Sequence, residues 1–285
     1  MAEISAADVK KLREKTGAGM MECKNALVSS NGDVAQAEKL LKEKGLAALE
    51  KRADRATNAG KVFVKIKDDG SSAVLVELSS ETDFVSRNDD FIAVGKKIAE
   101  VSLEKGYTEP NAELSGMVTD IATKIRENMG LKRLKVMNAG NGGCLVSYIH
   151  GDGNIGVVVK CCSDKPEIFR DDEVKAFVFS LALHVAAFNP YALEKSKIDP
   201  AYIAEQTEIF SKQMEQDEKL KEKPANVREG ILKGKINKHI SEICFLDQGY
   251  VKDEKMTVAQ ALADMAKKAG AKIEIAEYAY FKVGV

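Results

Sequence analysis

The stretch KVFVKIKDDGSSAVLVEL, residues 61–78, decides the fold class of this chain of 285 residues. Apolar side chains recur at every second position over residues 62–66, and again over residues 74–78. Residues 68–71, Asp-Asp-Gly-Ser, lie between them and form a typical turn sequence. Alternation on both sides of such a turn is typical of an antiparallel β-hairpin.

Residues 1–55, upstream of this hairpin, show helical rather than alternating periodicity. Ser5 followed three positions later by Asp8 resembles a capping box, which begins a helix. Gly17 is placed to end that first helix, and Asp33 is placed to begin a later one. The sequence therefore predicts three short helices before the first strand.

The order of hairpin followed by helix recurs downstream. Gly70 and Gly153, both in hairpin turns, are 83 positions apart. Asp89 and Asp171, each placed to begin a helix, are 82 positions apart. Two spacings that agree within one residue favour an internal duplication, although hairpins followed by helices are also common without one.

We therefore predict an α+β fold with three parts. Residues 1–55 form an N-terminal helical module, residues 56–140 a first α+β subdomain, and residues 141–285 a second, related one. The second subdomain is interrupted at about residues 195–245 by a charged helical hairpin with few apolar positions. Such a hairpin is either solvated or a helix–helix contact with another subunit.

Charge argues against a dedicated nucleic-acid-binding protein. Lys and Arg total 43 against 44 Asp and Glu, for a net charge of −1, whereas nucleic-acid-binding domains are usually basic. We therefore expect no direct contact with nucleic acid. The alternative is an RNA-associated accessory module of the translation machinery, using a local basic patch at Lys51, Arg52, Arg55 and Lys61.

Compartment and membrane association follow from the apolar pattern and the cysteines. No apolar leader precedes the first helix and no run of 18 apolar residues occurs, so we expect no membrane association. The five cysteines form no C-x-x-C pair and suit a reduced cytoplasmic protein.

The sequence contains no candidate active site. His150, His184 and His239 lie far apart in sequence, outside any metal-binding spacing, and no phosphate-binding glycine motif is present. We expect His184 in a core and His239 in solvent. The sequence therefore predicts no enzyme activity, no metal and no cofactor.

Two features stand out as surface candidates. Phe84 lies in a polar loop, residues 79–88, where its ring is either packed into the core or held outward for a partner. Met20 and Met21 follow two glycines and either fill a core gap or form an adaptable binding surface.

These two features carry a family resemblance. The stretch LREKTGAGMMECKNAL, residues 12–27, and the tetrapeptide TDFV, residues 82–85, resemble the two signatures of the translation elongation factor Ts family. The resemblance implies an exchange factor that binds elongation factor Tu, a GTPase, in both its GDP-bound and nucleotide-free forms. It also implies a ubiquitin-associated-like N-terminal module.

The resemblance further implies roles for individual residues. One segment would dislodge Mg²⁺ in the partner, with Phe84 as the intruding side chain: Thr82, Asp83, Phe84 and Val85. A second group would bind the partner: Arg13, Met20, Met21 and His150. The resemblance also implies an inserted helical hairpin, which from its composition we expect to serve self-association or a partner contact. Residues 248–250 read Gln-Gly-Tyr and depart from the Gln-Pro-Phe that is frequent in the family.

Overall fold

The structure is a computed structural model and describes residues 4–285. Its helices are α1 (Ala6–Thr16), α2 (Met20–Ser29), α3 (Val34–Glu50), α4 (Asp83–Ser86), α5 (Asp89–Lys105), α6 (Ala112–Ile125), α7 (Asp172–Phe188), α8 (Pro200–Gln216), α9 (Glu218–Lys221), α10 (Ala225–Ile243) and α11 (Val258–Ala269). Its strands are β1 (Ala59–Ile66), β2 (Ser72–Ser80), β3 (Met129–Asn138), β4 (Gly143–His150), β5 (Ile155–Ser163), β6 (Gly249–Tyr250), β7 (Asp253–Thr257) and β8 (Ile273–Lys282). The chain is an α+β protein, as predicted.

The first sheet is built on the hairpin of residues 61–78. Strands β1 and β2 pair antiparallel, with Phe63 opposite Val76 and Ile66 opposite Ala73, and β3 extends the sheet in the order β1-β2-β3. Gly70 has a φ of +70°, which suits glycine in a tight turn. A second three-stranded sheet has the order β4-β5-β8, and a two-stranded sheet pairs β6 with β7. Both three-stranded sheets combine a hairpin with a later strand, and the internal duplication stays a prediction.

The chain divides into two compact units. Unit 1 comprises the residues up to Met137 together with Ile149–Gly156 and Phe281–Val285, and unit 2 comprises Asn138–Tyr148 and Val157–Tyr280. Helices α1–α3 lie within unit 1, and the three-part division drawn from the sequence stays a prediction.

Helices α1–α3 enclose a small core of their own. Its buried members are Val9, Leu12, Ala18, Cys23, Ala26, Leu27, Ala37 and Leu41. The predicted caps are present: the Asp8 N–H donates to Ser5 Oγ over 3.2 Å, and the Gln36 N–H donates to Asp33 Oδ1 over 3.0 Å.

The main core of unit 1 lies between the first sheet and helices α5 and α6. Its members include Phe63, Val74, Val76, Leu78, Phe91, Ile98, Leu114 and Val118. Helix α5 begins one residue earlier than predicted, because Asn88 rather than Asp89 is the N-cap and accepts from the Asp90 N–H over 2.9 Å. Asp171 caps α7 as expected.

In unit 2, α8 and α10 form the predicted helical hairpin. Its base is held by a small cluster that includes Ala192, Ile198, Ile240 and Cys244. His239, which was expected in solvent, is half-buried: its ring is 3.0 Å from the Tyr202 hydroxyl and packs beside the Phe210 ring.

His184 is fully buried in α7, as predicted. Its Nδ1 accepts from the Val251 N–H over 3.2 Å, so Nε2 carries the proton and donates to Gln248 Oε1 over 2.9 Å. The ring stacks against Phe188 and Phe245. Gln248, which belongs to the segment that departs from the family pattern, is therefore tied to the core.

We expect this histidine to make unit 2 less stable in mild acid. Burial lowers the pKa of His184 below its ordinary value of about 6.5, so the unfolded chain binds the proton first as pH falls. The contribution of neutral His184 to stability is complete above the pKa that this histidine has in the unfolded chain. It is lost as the pH falls from that value towards the lower pKa of His184 in the folded protein. The slope cannot exceed about 1.4 kcal/mol per pH unit for one proton. Melting temperatures between pH 7.5 and 5.5 should show this dependence, and His184→Gln should reduce it; an unchanged slope in the variant would exclude His184 as its source.

Candidate functional site

The TDFV segment forms a single helical turn with one buried and one exposed apolar side chain. Val85 is buried in the core of unit 1, whereas 81% of the Phe84 side chain is exposed. Successive residues of a helix are rotated by about 100°, so one turn places these neighbours on different sides. Of the two readings left open by the sequence, the structure excludes the packed ring.

Asp83 is also accessible. Its carboxylate lies 3.2 Å from the guanidinium of Arg87, and both side chains are more than half exposed. Surface pairs of this kind contribute only about 0–1 kcal/mol, so a partner can displace the contact at little cost.

Thr82, in contrast, is directed into unit 1. Its N–H donates to Glu127 Oε2 over 3.2 Å, and its hydroxyl donates to Glu127 Oε1 over 3.0 Å. Its carbonyl accepts from the Ser80 hydroxyl over 2.9 Å. All hydrogen-bonding groups of Thr82 are therefore used internally, and the four residues divide into two anchors, Thr82 and Val85, and two presented groups, Asp83 and Phe84.

Glu81, one residue earlier, forms an internal charge cluster. Its carboxylate accepts from the Asn128 N–H over 2.7 Å and from Arg55 over 3.0 Å, and Arg52 lies 3.7 Å away. The Asn128 amide and then the two arginines hold the pKa of Glu81 below its usual value. Lys61 pairs with Asp152 over 2.9 Å. Three members of the basic patch considered for RNA are thus paired with carboxylates, because each lies beside an acidic group that sequence order alone does not reveal.

The second candidate surface is the start of α2. Met20 and Met21 are 48% and 64% exposed, while Cys23 and Leu27 on the same helix face the core of the helical module. The two glycines before them form a turn: Gly17 ends α1 with a φ of +69°, and Gly19 is the N-cap of α2. A Cβ atom on Gly17 would also lie 2.6 Å from the Lys124 side chain, which would have to move, so both the backbone conformation and the space favour glycine there.

The remaining predicted contact residues lie on the surface of unit 1. Arg13 is exposed on α1, one turn before Gly17. His150 is exposed at the end of β4. The turn that follows it is joined to the first hairpin, because the Val62 N–H donates to the Gly153 carbonyl over 2.8 Å.

Arg126, Glu127 and Asn128 were missed by the sequence analysis. They join α6 to β3, and their side chains contact both candidate surfaces: Arg126 pairs with Glu22 of α2, and Glu127 binds Thr82. Only the three-dimensional arrangement identifies them, because the contacts join residues 45 or more positions apart.

Within residues 4–285, no group of three or more His, Cys, Asp or Glu side chains is arranged to hold a metal ion. In the same range, no helix is both long and apolar enough to cross a membrane.

Comparison with known proteins gives a consistent result. Residues 81–285 match the family described as Elongation factor TS. The chain is 50% identical to Elongation factor Ts of Treponema denticola over 283 residues, which cover 99% of each chain. It is 37% identical to Elongation factor Ts of Clostridium acetobutylicum, over 99% of this chain and 92% of that protein.

Proposed function

Because this chain belongs to the elongation factor Ts family, whose members are nucleotide-exchange factors for elongation factor Tu in translation, we propose that it releases GDP by disturbing the partner's Mg²⁺ and phosphate site. The observation that carries this mechanism is the presentation of Phe84. Its ring is almost fully exposed, whereas two nearby residues are anchored in unit 1: Thr82, two positions before it, and Val85, directly after it. An aromatic side chain held out on an anchored turn is available to insert into a pocket of a partner, as aromatic anchor residues do at interfaces.

The chemistry of the partner's metal explains how an inserted ring can release a nucleotide. Mg²⁺ requires near-ideal octahedral geometry with ligands at about 2.0–2.1 Å. A ring wedged between elements next to the metal moves its ligands and the phosphate-binding loop by a fraction of that distance. The metal and GDP are then held less tightly, and no atom of the exchange factor needs to touch the nucleotide. In this mechanism Asp83 lies beside Phe84 at the disturbed site.

The start of α2 would supply docking affinity. Met20 and Met21 offer flexible apolar side chains that adapt to a partner surface, and Arg13 offers a charged group on the adjacent helix. His150 would add a contact from the turn region of the second hairpin. These residues bind the partner, whereas Phe84 changes it.

The exchange factor works through differential binding. A protein that binds the nucleotide-free GTPase more tightly than the GDP-bound form must lower the affinity of the GTPase for GDP by the same factor. This requires no covalent step and no cofactor. The place of action is the cytoplasm, where translation supplies the partner.

GDP release from elongation factor Tu tests this function. Elongation factor Tu loaded with fluorescent GDP is mixed with excess unlabelled GDP, with and without this protein. We expect substoichiometric amounts to accelerate release of the labelled nucleotide. An unchanged release rate at saturating protein would exclude the proposed function.

The helical hairpin is proposed to serve a contact peripheral to exchange, either with a second copy or with the partner. Its base is self-contained, because the Tyr191 N–H donates to the Ile243 carbonyl and the Phe245 N–H to the Ala192 carbonyl. Replacement of residues 207–235 by a short Gly-Ser linker leaves this base intact. We expect GDP release to be unaffected in that variant, with circular dichroism as the control for folding. Complete loss of exchange in a folded variant would show that the hairpin takes part in exchange itself.

A further inference from the structure

Residues 126–128, here called the tie segment, form the connection between α6 and β3. Arg126 ends α6 in the left-handed conformation that commonly terminates a helix, with a φ of +69°, and its N–H donates to the Ala122 carbonyl over 2.7 Å. The chain therefore leaves the helix at Arg126, and Glu127 and Asn128 lead into β3.

One side of the tie segment holds the loop that carries Phe84. Glu127 accepts the N–H and hydroxyl of Thr82, and the Asn128 N–H donates to Glu81 over 2.7 Å. Two consecutive residues of the tie segment therefore fix two consecutive residues of the loop.

The other side holds the N-terminal helices and the chain that follows them. Arg126 pairs with Glu22, two residues after Met20, and this contact is the largest cause of the lowered pKa of the Glu22 carboxyl. The Asn128 side-chain amide donates to the carbonyls of Ala53 and Arg55, over 3.2 and 2.9 Å. Both candidate surfaces are thus joined to the same three residues.

We propose that the tie segment is a positioning element for nucleotide exchange: Glu127 fixes Thr82 so that Phe84 is presented as a rigid wedge, in a frame shared with α2. This role rests on the proposed function. It is assigned to residues that contact the two candidate surfaces from within unit 1: Glu127 contacts Thr82, and Arg126 contacts Glu22.

The physical reason is that the turn carrying Phe84 cannot hold itself. A helix of four residues is too short to be stable alone. Thr82, its N-cap, makes no capping hydrogen bond to that turn, because its hydroxyl is directed to Glu127. Without the carboxylate, two donors of Thr82 lose their acceptor and the loop gains conformational freedom. Binding to the partner must then order the loop, and this entropy cost reduces the binding free energy that is available to displace the partner's metal ligands.

A double-mutant cycle on GDP release tests this role. We expect Glu127→Ala to lower the exchange rate constant about tenfold or more, because the N–H and the hydroxyl of Thr82 both lose their charged acceptor. If Glu127 acts through Phe84, adding Glu127→Ala to Phe84→Ala causes no further loss. Glu127→Gln, which keeps one acceptor for the Thr82 hydroxyl, should restore part of the activity.

Glu113→Ala is the matched control, since this carboxylate also accepts two side-chain hydrogen bonds, from Lys105 and Tyr107, but outside the loop. It should leave exchange unchanged. If Glu127→Ala lowers the melting temperature, Thr82→Val is used in its place, because it removes the hydroxyl that donates to Glu127. Thr82→Val should also lower the exchange rate constant, and it should cause no further loss when it is added to Phe84→Ala. Additive losses in the cycle, or full activity of Glu127→Ala, would overturn the inference. A wild-type protein that does not accelerate GDP release would instead overturn the proposed function.

Discussion

Phe84→Ala is expected to lower the rate of GDP release from elongation factor Tu about thirtyfold. Truncation of an aromatic anchor in a partner's pocket typically costs about 2 kcal/mol or more, which corresponds to that factor. The folded chain itself should lose little stability, because 81% of the side chain is exposed and no core depends on it. Stopped-flow measurement of GDP release, beside a melting curve, checks both expectations.

Phe179→Ala provides the control for this variant. Phe179 is another exposed phenylalanine, at 41%, and its ring packs edge-on against Tyr148 in unit 2. Its truncation removes the same atoms without touching the proposed wedge, so exchange should remain at the wild-type rate. A large drop in melting temperature for Phe84→Ala, or equal losses in both variants, would contradict the wedge role.

The second large effect is expected from the double variant Met20→Ser, Met21→Ser. Both side chains are about half exposed or more, so their removal should leave the helical module folded. If they dock on the partner, loss of their apolar area at about 25 cal/mol per Å² costs roughly tenfold or more in affinity. The loss should raise the concentration of exchange factor needed for half-maximal release and leave the maximal rate nearly unchanged.

Substitution of the same two residues by leucine separates docking from folding. Leucine preserves the apolar area and the helix propensity, so the Met20→Leu, Met21→Leu variant should retain most of the affinity. If the serine variant instead lowered the maximal rate at saturation, the start of α2 would take part in exchange and not only in docking.

Local patterns predicted much of this fold because the interactions that set them are local. The hairpin of residues 61–78 follows from alternation and turn chemistry, and the helix beginning after Ser5 from a cap that spans three residues. The burial of His184 follows from its place on the apolar face of α7.

What the sequence left open depends on contacts between distant residues. Phe84 is exposed beside Thr82, whose hydroxyl donates to Glu127, 45 positions away, and no local pattern reveals that contact. From the sequence, Arg52 and Arg55 belong to a local basic patch, but in the structure the carboxylate of Glu81 lies beside both. The tie segment carries no pattern of its own, since its importance comes entirely from what it contacts.

We propose that this protein and GDP weaken each other's binding to elongation factor Tu through differential binding. Titration calorimetry of the wild-type protein against nucleotide-free and GDP-loaded elongation factor Tu, at fixed Mg²⁺ concentration, measures this directly. We expect tighter binding to the nucleotide-free form, by the same factor as this protein weakens the binding of GDP. For Phe84→Ala, we expect a smaller ratio between the affinities for the nucleotide-free and GDP-loaded forms. Equal affinity for the two forms would contradict the claim, because a ligand that does not distinguish two states cannot shift the balance between them.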